Sequence, residues 1–162
     1  MTAAIASTVI LRELRALRRE IEAYPDDETP WRVPPGIANP GGTLALHCAG
    51  NLQHYVGAVL GGTGYVRDRP AEFSRRDVPR SAILAELDRA REAVERTLAD
   101  LPAEVLGRPY PEAVAGHIFP CDRFLAQIAS HLAYHLGQVD YHRRLVTGDG
   151  TTVGALATGE LL

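Results

Sequence analysis

At 162 residues the chain has the usual size of one domain, with enough length for a helical core that excludes water from an internal site. Hydrophobic residues make up 46% and charged residues 23%, far from a disordered composition, and a formal net charge of −3 gives no drive to bind a polyanion, so nucleic acid is not expected as a partner. All 17 basic residues are arginine, which excludes a Schiff-base or general-base lysine and leaves any chemistry to His, carboxylate, Cys, Tyr or a metal.

Ile10, Leu14, Leu17, Ile21 and Tyr24 recur at spacings of four and three, with arginines elsewhere, which predicts an amphipathic helix over 2–23. Pro25, Pro30, Pro34, Pro35, Pro40 and the Gly41-Gly42 pair make the next stretch a connection. A second helix is predicted from Thr43 as N-cap to Gly61-Gly62, with an apolar stripe through Leu44, Cys48, Leu52, Val56 and Val59. It carries His47, Asn51 and His54. The stretch 65–80 alternates signs through Arg67, Asp68, Arg69, Glu72, Arg75, Arg76, Asp77 and Arg80, the pattern of a solvated loop with surface ion pairs. Ile83, Leu84, Leu87, Val94, Leu98 and Leu101 then restore a helical period without evident chemistry. After a Pro- and Gly-containing connection, 122–147 runs free of proline to Gly148 as the longest helix. No segment shows the alternation of a strand.

The pattern predicts an all-α protein, a four-helix bundle with long crossover connections, as one domain over 1–162. Cys48 and Cys121 lie in different predicted helices without CxxC spacing, which fits reduced thiols in a cytoplasm. The charged first 22 residues do not read as a signal peptide, and no apolar run of about 18 residues predicts a membrane span.

In the last helix Phe124, Ile128, His131, His135, Gln138 and His142 form a stripe expected to face the bundle interior. His131 and His135 stand one turn apart, so both rings can reach one ion at the ~2.0–2.1 Å of a zinc–nitrogen bond. The second helix offers a third imidazole, His47, on a stripe with Asn51 and His54. Inward-facing imidazoles need partners, and either a metal or a water cluster would supply them. Asn51 and Gln138, each one turn from a candidate ligand, could orient an imidazole, as could His54 and His142, for which plain core packing is the favoured reading. Gly137, inside a helix, hints at close approach or open space beside the metal. Cys121 stands where a helix dipole would favour a thiolate, although a small packing residue is the preferred reading.

The string His131-Leu-Ala-Tyr-His135-Leu-Gly137-Gln138-Val139 resembles the HxxxHxGQ signature of the last core helix of DinB-like bacterial metalloproteins, also grouped with the YfiT-type metal-dependent hydrolases. The segment Leu44 to Gly61, with His47 ahead of Ala49-Gly50-Asn51-Leu52, is similar to the family's second helix, whose early histidine supplies the first metal ligand. The resemblance runs from the first helix to Leu145. It implies an antiparallel four-helix fold, commonly a homodimer, with His47, His131 and His135 as ligands of zinc or nickel. It further implies a small-molecule substrate and, by analogy with relatives that use mycothiol or bacillithiol, a low-molecular-weight thiol.

Three function classes follow as expectations. A thiol-dependent S-transferase would use the metal to hold a substrate sulfur as thiolate at neutral pH. A hydrolase would need a base beside a metal-bound water, and no Asp or Glu shares the stripes of His47, His131 and His135, which leaves His54 or His142. A non-catalytic bundle would use a metal or water only to complete a polar core. The substrate would be chosen by loops such as 31–42 and 107–120.

Overall fold

The computed structural model describes residues 1–161. Its elements are α1 (Ala3–Glu22), α2 (Gly41–Leu52) with a π-helical continuation (Gln53–Leu60), the short α3 (Arg69–Ser74), α4 (Arg80–Ala99) and α5 (Cys121–Thr147). No β-strand occurs among the described residues, and no helix is long and apolar enough to cross a membrane.

Each helix is delimited by local chemistry. The Thr2 hydroxyl accepts from the Ile5 amide at 3.2 Å and starts α1. Gly148, at φ 72°, ends α5 in the left-handed conformation that glycine adopts without penalty, and its amide closes on the Arg144 carbonyl at 2.9 Å. α2 begins two residues before the expected Thr43 cap, because the extended Pro40 is the N-cap and Gly41 already lies in the first turn. Thr43 is instead buried, and a Cβ on Gly42 would stand 2.9 Å from the Trp31 ring, so this turn is set by close packing. The expected loop at 65–80 contains α3, whose Asp68 carboxylate caps the Ala71 amide at 3.0 Å.

The four long helices form the bundle. α1 packs on α4 and α5, and α2 packs on the same two, so α1 and α2 face each other across one diagonal and α4 and α5 across the other. The connections from α1 to α2 (23–40) and from α4 to α5 (100–120) each cross a diagonal, while the similarly long one from α2 to α4 (61–79) contains α3 and joins neighbours. Ile10, Leu14, Leu17 and Ile21 of α1 meet Ile83, Leu87 and Val94 of α4 and Leu125, Leu132, Leu136 and Val139 of α5 in one buried apolar cluster. The first crossover is pinned twice. The Trp31 indole N–H donates to the Val78 carbonyl at 2.9 Å, and Tyr24 bonds His142 at 2.6 Å.

Arg143, only 1% exposed, closes the far end. Its guanidinium bonds Glu20 of α1 at 2.5 Å and donates to the carbonyls of Asp149 and Thr151 at 3.2 and 2.7 Å, holding the C-terminal segment against the bundle. Arg143→Ala strands a buried carboxylate, and we expect a loss of about 3 kcal/mol in urea unfolding. Amide exchange should quicken at 149–154, a change that a general loss of packing would not confine to that segment.

Candidate metal centre

α5 presents His131 and His135 on successive turns, and α2, packed against it, brings His47 to the same place. One nitrogen from each ring lies within 4.8 Å of the other two. His131 Nε2 stands 3.3 Å from His47 Nε2 and 3.1 Å from His135 Nε2. Two nitrogens bound tetrahedrally to one zinc ion are separated by about 3.3 Å.

The opposite ring nitrogens decide what these Nε2 atoms offer. His47 Nδ1 is 2.9 Å from a Glu72 carboxylate oxygen, and a carboxylate only accepts, so the proton sits on Nδ1 and the lone pair on Nε2. His135 Nδ1 is 2.7 Å from the Gln138 side-chain oxygen, with the same consequence. Both rings therefore aim acceptor nitrogens at His131, which carries at most one Nε2–H to share between them. A cation among the three nitrogens satisfies all of them, and the residues present fit one divalent ion.

The sequence matches the DinB superfamily over residues 10–139. The chain belongs to the DinB superfamily. No curated protein and no solved structure gave a match.

Within this DinB protein, Glu72 is the residue that the periodicity missed. It sits on α3, in the stretch expected to be a solvated loop, yet it is buried and held by Arg67 Nε and Nη2 at 2.7 and 2.8 Å. Burial alone would raise the Glu72 carboxyl, but the hydrogen bonds from Arg67 and His47 outweigh it and keep the group below the usual carboxylate range. A Cβ on Gly50 would run into the Glu72 carboxylate, so the glycine makes room for it on α2. The one signal in the sequence was Gly50 itself, one turn beyond His47 in a helix interior.

The other expected residues divide. Gln138 orients His135, and the expected stripe is buried at Phe124, Ile128 and His142, half-buried at His131 and His135 and exposed at Gln138. α5 also buries Leu125, Leu132, Leu136 and Val139 beside that stripe. Asn51 faces a cleft beside His47 and His131 and bonds neither ring. His54 is partly exposed and pairs with Glu112 at 3.1 Å, which corrects its reading as a core histidine. His142 is a core histidine, its Nδ1 accepting from Tyr24 at 2.6 Å and its Nε2–H donating to the Arg32 carbonyl at 2.8 Å. Nothing lies within 4 Å of a Cβ added at Gly137, so this glycine admits no neighbouring helix. Cys121 is fully buried, and desolvation pushes its thiol up rather than toward a thiolate. Burial does the same to Cys48.

Desolvation pulls the His131 imidazole down to about 4, with His135 and His47 nearby adding to the effect. It also lowers His135, against the hydrogen bond to Gln138, and lowers His142. The unfolded chain takes up protons at these rings near pH ~6.5, whereas the folded one does so only at lower pH. Below about pH 6.5 the unfolded state binds more protons, so the stability of the metal-free protein is expected to fall as pH drops. The urea midpoint should therefore be lower at about pH 5 than at about pH 7.5. The decline should be shallower in His131→Gln, which removes the ring with the largest shift of the three.

Proposed function

We propose that this chain is a metal-dependent enzyme that holds one zinc or nickel ion with His47, His131 and His135 and acts as a thiol-dependent S-transferase on a small-molecule substrate. The observation that carries the reading is the meeting of three Nε2 atoms at 3.1 and 3.3 Å, with two of the rings fixed from behind so that their lone pairs face inward. When bound, the ion would act as a Lewis acid that keeps a sulfur ligand in its thiolate form at neutral pH.

The protein's own residues do the rest. Glu72 and Gln138 keep His47 and His135 in the Nδ1–H tautomer, and Arg67 holds Glu72 in place. Phe73 covers one side of His47, its ring centroid 4.8 Å from the imidazole, and limits water there. Transfer is favoured over hydrolysis because no carboxylate lines either cleft beside the histidines among the described residues. Glu72 is turned to Nδ1 of His47 and to Arg67, and Glu112 is paired with His54, so neither is free to activate a water. A thiol held as thiolate needs no such base.

Metal analysis by mass spectrometry on tag-free protein tests the site. Near one equivalent of zinc or nickel is expected in the natural sequence and its loss in His47→Ala and His135→Ala, with circular dichroism confirming that both variants fold. Glu72→Gln should retain the ligands but bind the ion about 10- to 100-fold more weakly, since outer partners set the basicity and aim of the ligating ring. The thiol reading is tested on cobalt-loaded protein by adding 2-mercaptoethanol. A change in the visible spectrum is expected, and an unchanged spectrum would leave a metalloprotein that does not use thiols.

A further inference from the structure

Two clefts open on the histidine cluster from different sides, and their walls differ in charge. One, of about 590 Å³, is bounded by His135, Gln138 and Asn39 and by the apolar surfaces of Ile37, Leu44 and Leu145 with Tyr134 and Tyr141. Among the described residues no carboxylate or guanidinium lines it. His142 on its wall is bonded to Tyr24 and to the Arg32 carbonyl, and burial disfavours its charged form.

The second cleft, of about 240 Å³, is bounded by His47 and His131 and carries two guanidinium groups, Arg67 and Arg69, beside the amides of Asn51 and Gln127. The Arg67 charge is met by Glu72. Arg69 lies over the Phe73 ring, 4.9 Å from its centroid, and makes no ion pair among the described residues. With no carboxylate on its wall, the small cleft offers an uncompensated positive charge and amide donors close to two of the three ligating rings. Planar guanidinium groups suit a carboxylate, and such charge-assisted bonds are strong for their size.

We propose that the site is divided, with the small cleft taking a carboxylate-bearing thiol whose carboxylate meets Arg69, and the large cleft taking an uncharged, apolar second substrate. This rests on the metal reading above for the thiol, whereas the division by charge stands on the two walls alone. The sulfur end would lie toward His47 and His131, and the apolar partner would approach from the His135 side.

The test compares 3-mercaptopropionate with 3-mercapto-1-propanol, which differ only in the carboxylate, by calorimetry on metal-loaded and metal-free protein at low salt. The charged probe is expected to bind about tenfold more tightly to the natural protein, and Arg69→Gln, an exposed position that leaves the Arg67–Glu72 pair intact, should erase most of that preference without weakening the alcohol. Methyl NMR should show the charged probe shifting Val114 and Ile128, and benzyl alcohol shifting Leu44 and Leu145. Equal binding of the two thiols, or a preference untouched by Arg69→Gln, overturns the charge division even where metal is present. A carboxylate preference that needs Arg69 and persists in protein that never retains metal supports the division and sinks the metal reading instead. Benzyl alcohol shifting Val114 rather than Leu44 overturns the assignment of the large cleft.

Discussion

Everything at this site depends on where two protons sit. An imidazole has one lone pair to give when neutral, and which nitrogen gives it is decided by the hydrogen bond made by the other. Glu72 and Gln138 take the Nδ1 protons of His47 and His135, so both rings present Nε2 to the same point as His131. If these two partners were lost, the rings could keep their positions and still turn a proton inward, and the cluster would become an ordinary hydrogen-bonded trio. The distances between the rings would change little, while the chemistry open to them would change entirely.

The bundle makes this affordable by keeping the cluster off its main apolar seam. Leu125, Leu132, Leu136 and Val139 of α5 meet α1 and α4 in the core, while His131 and His135 lie half-exposed on the flank nearer α2. Apolar burial, at roughly 25 cal/mol per Å², therefore accrues in the interior, where the one deeply placed imidazole of α5, His142, has both nitrogens hydrogen-bonded. The cost of the polar cluster is confined to its own surroundings, where burial disfavours protonated His131 and His135. The diagonal arrangement also matters, because α2 and α5 are neighbours and can share a site, whereas α4 and α5 cannot.

Much of this was legible in the residues. Helical periodicity located the four long helices, the HxxxH spacing put His131 and His135 on one face, and the motif pair around His47 and Gln138 pointed to the DinB superfamily. The expected alignment of His47, Asn51 and His54 over two turns gave way where α2 changes to a π-helix at Gln53, since a wider turn alters the angular step per residue and the periodic reading assumed a constant one. His54 meets Glu112 from the α4–α5 connection instead. Glu72 was illegible for a different reason. Charge alternation in 65–80 describes the composition of a surface, whereas the burial of Arg67 and Glu72 follows from α3 folding back on α2, a contact between elements that no local pattern encodes.

Two buried Arg–Glu pairs in the same molecule separate stability from aim. Arg143 and Glu20 are almost completely buried, Arg143 also binds two backbone carbonyls, and Glu20 Oε1 has no partner among the described residues. That pair ties chain segments together and leaves one acceptor unused. In the pair at the site both Glu72 oxygens are engaged, Oε1 by Arg67 Nε and Oε2 by Arg67 Nη2 and His47 Nδ1. Buried ion pairs contribute little net stability once desolvation is counted, so a fully satisfied pair placed against a candidate ligand is better explained by the orientation it imposes. Gly50 argues the same way. The glycine costs α2 about 1 kcal/mol of helix propensity relative to alanine, and what it admits at that position is the Glu72 carboxylate.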